Sequence, residues 1–190
     1  MKKFNTSACK LYFLLITITL STIIYGQCGS ERWDVKTLND PEANDIVFTP
    51  VSSTVHKQLQ FLKPAYHEAN PRDATEKRVY RIKCILVKYM KENDSDWHLV
   101  VKDLNSNEKM VVEIPDMDCV DASNPHFSKI EVSKNRLKAK VGPVKKTPRA
   151  APAGTKLQIT GVGFFDKDNH PICFKGREIH PVLELKVLTN

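Results

Sequence analysis

From Arg78 onward apolar and polar residues alternate with a period of two. Val79–Lys91, Trp97–Asp103 and Lys109–Ile114 each carry this alternation, and the turn formers Asn93-Asp94-Ser95 and Asn105-Ser106-Asn107 separate them. The pattern predicts a three-strand meander. HFSKIEVSKNRLKAK (126–140) then changes to helical spacing, with Ser123 or Asn124 near its start and basic residues toward its end, where the helix dipole favours cations. GPVKKTPRAAPAG reads as a surface loop, after which period two returns in Lys156–Phe165 and Glu178–Leu188. Upstream, SSTVHKQLQFLKP sets Val55, Leu59 and Leu62 at helical spacing, with Ser52 or Ser53 as N-cap and Pro64 as a stop. A short helix is expected there, followed by a loop through AYHEANPRDATEK. The remainder of residues 30–75 is mixed and polar, with turn signals around Asn39-Asp40-Pro41.

Three strands, a helix and two strands of these lengths suit a small closed barrel, in the order of an OB-fold. The expected class is mainly β with minor α: a five-stranded OB-fold-like Greek-key barrel with a helix between strands 3 and 4 and an N-terminal extension. Gly161 and Gly163 inside the fourth strand fit, because sharply bent strands use glycine for bulges and close approach. A sandwich would need more strands.

The chain opens MKKFNTSACKLYFLLITITLSTIIYGQCGS. Basic Lys2, Lys3 and Lys10 accompany an apolar stretch, Leu11–Ile24, of 14 residues. A bilayer core needs about 20 residues, so this stretch does not span one. Small Gly26 follows, and the pattern is that of a cleavable secretory signal cut after Gly26. Acylation of Cys28 is the rival reading, against which bulky Gln27 speaks. The expected division is signal peptide 1–26, extension with a short helix 27–76 and barrel domain 77–190, with no transmembrane segment in the mature chain. The expected location is secreted or periplasmic.

Charge sharpens the picture locally. The net charge of +7 falls to +4 without the signal, and eight Lys/Arg against the single acid Glu131 concentrate +7 between Lys129 and Arg149. Such a block either steers an anionic partner or is a solvated helix face. The mature cysteines are Cys28, Cys84, Cys119 and Cys173, at spacings unlike a metal ribbon. Cys84 alternates in phase with Tyr80, Ile82 and Leu86, which makes it a buried thiol. A bridge is expected among Cys28, Cys119 and Cys173.

Candidate chemistry centres on Glu178-Ile179-His180-Pro181. Residues two apart in a strand share a face, so Glu178, His180, Glu184 and Lys186 fall together with Val182 outside the barrel. Ile179, Pro181, Leu183, Leu185 and Val187 form the apolar side. In OB order the third strand neighbours the fifth, which brings Glu113 toward Glu178 or His180. His98 on the second strand completes a candidate divalent-metal set of His98, Glu113, Glu178 and His180. The alternative is a hydrogen-bonded Glu–His pair that pins strands.

The customary OB ligand rim comprises KENDSD (91–96) and KDNHPICFKG (167–176). Lys167, His170, Phe174, Lys175 and Arg177 offer cations beside an aromatic ring for an extended ligand. Glu92, Asp94 and Asp96 make the first loop acidic, so the nucleic-acid signal is weak, and an oligosaccharide or protein surface stands beside it. Trp97 alternates with Leu99 and Val101 and belongs to the core. The chain has no GxSxG, HExxH, P-loop or EF-hand pattern. Asp166, Asp168, Glu178 and Arg177 supply nuclease-type groups at a spacing that matches no nuclease motif, and Cys173 with His170 lacks any local signature. The expected function is an exported non-catalytic module that binds an extended ligand. The alternative is a metal-assisted secreted hydrolase or phosphodiesterase.

ERWDVKT (31–37), DSDWHLVVKD (94–103), EIPDMDC (113–119), TGVGFFD (160–166) and EIHPVLEL (178–185) resemble a family of small secreted bacterial proteins with no established activity. The resemblance implies an exported barrel with an N-terminal extension, and a Cys28–Cys119 bridge tying that extension to the end of the third strand. KDNHPICFKGR departs from the family's longer, glycine-containing segment.

Overall fold

The computed structural model describes residues 28–29, 31–65, 71–166 and 176–189. The expected signal peptide and Lys167, His170, Cys173, Phe174 and Lys175 lie outside them. The strands are β1 (Val47–Ser53), β2 (Arg78–Lys91), β3 (Trp97–Asp103), β4 (Lys109–Ile114), β5 (Arg149–Ala150), β6 (Lys156–Phe165) and β7 (Arg177–Val187). The helices are α1 (Trp33–Thr37), α2 (Val55–Gln58) and α3 (Phe127–Val141).

β2 closes the barrel because it is long enough, at 14 residues, to serve two neighbours. Its first half pairs with β6 from Val79↔Val162 to Ile85↔Lys156, and its second half with β3 from Cys84↔Asp103 to Lys91↔Trp97. β3 continues to β4, β4 runs parallel to β7 through Val111↔Glu178 and Val112↔Ile179, and β7 returns to β6. The ring β2-β3-β4-β7-β6 is the five-stranded OB-fold-like barrel the sequence predicts. Leu99, Val101, Met110, Val112, Ile114, Ile159, Ile179 and Leu185 fill it, and Trp97 and Cys84 are buried with them. Burial pushes the Cys84 thiol far above its ordinary pKa, leaving it an inert small hydrophobe.

The β6–β7 ladder shifts register on both sides of Gly161. A Cβ on Gly161 would stand 2.5 Å from both Ile179 Cγ2 and Pro181 O, so only glycine permits this approach. The shift breaks the expected alternation at Val182. That residue joins the core instead of the polar face, whereas Glu178 and His180 stay opposite core Ile179.

The extension is more structured than its composition suggests. β1 pairs in parallel with the start of β2, from Val47↔Arg78 to Ser53↔Ile82. It escapes sequence reading because most of its side chains are exposed, leaving no period-two pattern. It also takes Ser52 and Ser53, so Thr54, not either serine, caps α2 by accepting from Lys57 N at 3.1 Å. α2 ends at Gln58, well before Pro64. α1 packs on β7 and is pinned from several sides. Arg32 pairs with Glu76 at 2.7 Å, Arg72 donates to Asp40 and to Val35 O, and a disulfide joins Cys28 to Cys119. α3 buries Ile130 and Leu137, and its Ser133 and Arg136 side chains donate to Leu183 O and Leu185 O of β7.

A buried histidine–carboxylate cluster as the candidate site

β3 presents His98 between core residues Trp97 and Leu99, and β4 presents Glu113 between Val112 and Ile114. The two are direct cross-strand partners, and the His98 Nδ1 to Glu113 Oε1 distance is 2.8 Å. On the other side of β4, β7 carries Glu178 and His180. Strand order therefore makes Glu113 the centre: its second oxygen lies 2.9 Å from His180 Nδ1. The β2–β3 turn folds two further carboxylates inward. Glu92 reaches His98 Nδ1 at 2.9 Å, and Asp96 Oδ2 lies 3.5 Å from His180 Nε2. Asp96 is held by its other oxygen, which accepts from Asp116 N at 2.9 Å.

Asp96, Glu178 and His180 are at most 1% exposed. From α1, Lys36 enters the negative field of Glu113, Glu178, Asp166 and Asp96. Phe164 forms an apolar wall, with the His180 ring edge-on at 5.7 Å and Lys36 Nζ at 5.4 Å from its centroid.

These surroundings set the protonation states. Burial pushes the Asp96 carboxyl up to about 8, reinforced by the charges of Glu113 and Asp94. For His98, burial opposes the cation, but hydrogen bonds to Glu113 and Glu92 outweigh it and raise the pKa to about 10. Burial likewise opposes ionisation of Glu113, yet the close approach of His180, the hydrogen bond with protonated His98 and the Lys36 charge hold it well below the usual carboxylate range. Burial lowers His180, which is therefore neutral. Its 2.9 Å approach to Glu113 is electrostatically favourable but out of line for a hydrogen bond, so both ring nitrogens and Asp96 Oδ2 are buried without an aligned partner.

A pH dependence follows. Asp96 and His98 are both raised, so their contributions to stability are complete below about pH 4 and pH 6.5, and are lost as pH rises through 8 and 10. Glu113 and His180 are lowered, and they lose their contributions as pH falls. Asp96→Asn is expected to gain stability relative to wild type progressively between pH 4 and 8. Urea unfolding midpoints of both proteins across that range check it; parallel curves would contradict the assignment.

Of the four metal candidates read from the sequence, His98, Glu113 and His180 meet directly and Glu178 is buried on the same face. Arg177, expected at a ligand rim, lies instead wholly inside. Its guanidinium donates to Gln58 Oε1 at 2.9 and 3.1 Å and stacks 4.7 Å from Phe165 and 4.9 Å from Phe61. It fastens α2 to β7, and burial lowers its pKa to about 10. Asp96, Glu92 and Lys36 were not anticipated as site residues. The signal for Asp96 was present, since it alternates in phase with His98. Nothing in the sequence singles out Lys36. Five separate stretches of the chain, 31–37, 94–103, 113–119, 160–166 and 178–185, supply Lys36, Asp94, Asp96, His98, Glu113, Phe164, Glu178 and His180 to this cluster. Comparison of the chain with protein-family models, curated proteins and solved structures finds no match.

Proposed function

We propose that this protein is an exported OB-fold-like module that binds one first-row divalent cation between Asp96, Glu113 and His180. The carrying observation is that one donor atom from each of these buried residues lies within 4.8 Å of the others, while both His180 nitrogens lack an aligned partner. Zinc-type bonds of about 2.0–2.2 Å place neighbouring donors roughly 3.4 Å apart, so a small inward movement completes three ligands. Charge argues the same way. The carboxylates Glu92, Asp94, Glu113 and Glu178 surround Lys36 and protonated His98, and a bound cation would ionise the buried Asp96 carboxyl as well. An imidazole among carboxylates favours the zinc or manganese class over calcium or magnesium.

The centre is closed. His98, Val100, Val111 and Glu113 on the outer faces of β3 and β4 are all buried by the chain itself. That burial shifts the reading from an extended polymer to a small cation; three protein ligands leave a coordination position open, but the surrounding chain keeps a substrate away from it, which supports a structural rather than a catalytic role. The Cys28–Cys119 disulfide supports export into an oxidising compartment, and among the described residues no helix is long and apolar enough to cross a membrane.

A second reading, metal-assisted phosphodiester hydrolysis, is favoured by the trio Glu92, His98 and Glu113, which shares Glu113 with the first. Glu92 is 37% exposed and offers that trio a route to solvent. Calorimetric titration with zinc, manganese and calcium, followed by an activated phosphodiester assay on the loaded protein, tests both. One equivalent of zinc or manganese with no turnover supports the closed centre. Turnover abolished by Glu92→Gln would move the conclusion to the hydrolase, and no binding of either metal would remove both.

A further inference from the structure

Away from the cluster, α3 does not lie flush on the barrel. Between it and the surface formed by β1, β2, β6 and β7 is a cavity of about 450 Å³, within the range of small-ligand sites. Arg81, Lys129 and Arg136 line it, and none of the three pairs with a carboxylate among the described residues. Glu184 is the sole acid in the lining, and it already pairs with Lys186 at 2.9 Å. At the floor, Thr160 is 6% exposed and its hydroxyl has no hydrogen-bond partner; Arg81 Nε is likewise buried and unpartnered. Buried polar groups are nearly always satisfied, so two unsatisfied ones lining a cavity mark where a ligand's acceptor atoms belong. Apart from Ser128 and Ser133 the rest of the lining is apolar, including Phe48 and Val132, which are 37% and 44% exposed.

We propose that this cavity binds a small amphiphilic anion. Its carboxylate or phosphate group is held by Arg81 and Thr160 with Lys129 and Arg136 nearby, and its short apolar body lies against Phe48 and Val132. The chemistry fits the residues: guanidinium groups pair bidentately with planar or tetrahedral oxyanions, and the aromatic ring covers a hydrocarbon chain. The basic segment 129–149 then has a definite role, because two of its cations face the cavity and raise the local concentration of anions.

Titration calorimetry on the mature protein with octanoate, octyl phosphate and inorganic phosphate tests the assignment. Saturable one-to-one binding of octanoate or octyl phosphate is expected. Arg81→Met should weaken it at least tenfold, and Val132→Trp should abolish it by filling the cavity while circular dichroism stays unchanged. Whichever of the two amphiphiles binds more tightly identifies the head group as carboxylate or phosphate. Absence of saturable binding for both, binding untouched by the two substitutions, or inorganic phosphate binding as tightly as octyl phosphate would each overturn the proposal. His180→Gln should leave this binding intact, so failure here and failure of the metal centre are separable.

Discussion

Replacing Glu113 by alanine is expected to destabilise the protein by about 3–5 kcal/mol, the usual cost of removing one partner from a buried charge pair. Three groups depend on this carboxylate. His98 is hydrogen-bonded to it at 2.8 Å, His180 approaches it at 2.9 Å, and the Lys36 ammonium feels it more strongly than any other carboxylate. Without it, protonated His98 keeps only the partly exposed Glu92 as a partner, and His180 and Lys36 lose the carboxylate that acts on them most strongly. Glu113→Gln preserves volume and hydrogen-bonding capacity and should cost less. Urea unfolding followed by fluorescence checks the order, since Trp97 is sequence neighbour to both Asp96 and His98. A loss below about 1 kcal/mol in Glu113→Ala would contradict the view that this residue is the electrostatic centre.

The second large effect is expected from Cys28→Ser/Cys119→Ser. The bridge closes a loop of 91 residues, for which chain entropy assigns roughly 4–5 kcal/mol. The effect should also be local. α1, which delivers Lys36 and covers β7, is only five residues long and cannot persist as an independent helix. Its position rests on the disulfide, on Arg32–Glu76 and on Arg72–Asp40. Thermal unfolding of the double variant and hydrogen exchange at β4 and β7 read the two consequences separately. A lowered midpoint with unchanged protection of Glu113 and His180 amides would show that the bridge acts only on the unfolded chain.

The barrel was legible because its signal is periodic. Each barrel strand has one face in the core, and the five predicted segments match β2, β3, β4, β6 and β7 to within one residue at either end. The meeting of His98, Glu113 and His180 was legible for the same reason, since strand order and phase suffice to place them. What stayed hidden depends on tertiary covering. The outer face of β3 and β4 looked like solvent-facing OB surface, because nothing in the local pattern announces that α1 lies across the neighbouring strand. Asp96 and Glu92 read as an acidic loop rim until the turn, with Ser95 at φ 77°, directs Asp96 inward. Val182 was misplaced because a register shift at Gly161 changes the phase without leaving a mark on the hydropathy of β7. Arg177 was misplaced because a buried guanidinium needs aromatic walls and amide acceptors from distant segments, here Phe61, Phe165 and Gln58.

The central claim is that Asp96, Glu113 and His180 hold a cation, and metal content tests it most directly. A chain of residues 27–190 with its disulfide formed, purified without chelator, loaded with zinc or manganese and freed of excess ion, should carry one equivalent per chain. His180→Gln with its disulfide and circular dichroism intact should carry none. Equal metal content in the two proteins, or none in the loaded wild type, would contradict the account and leave the cluster as a polar fastening between the extension and the barrel.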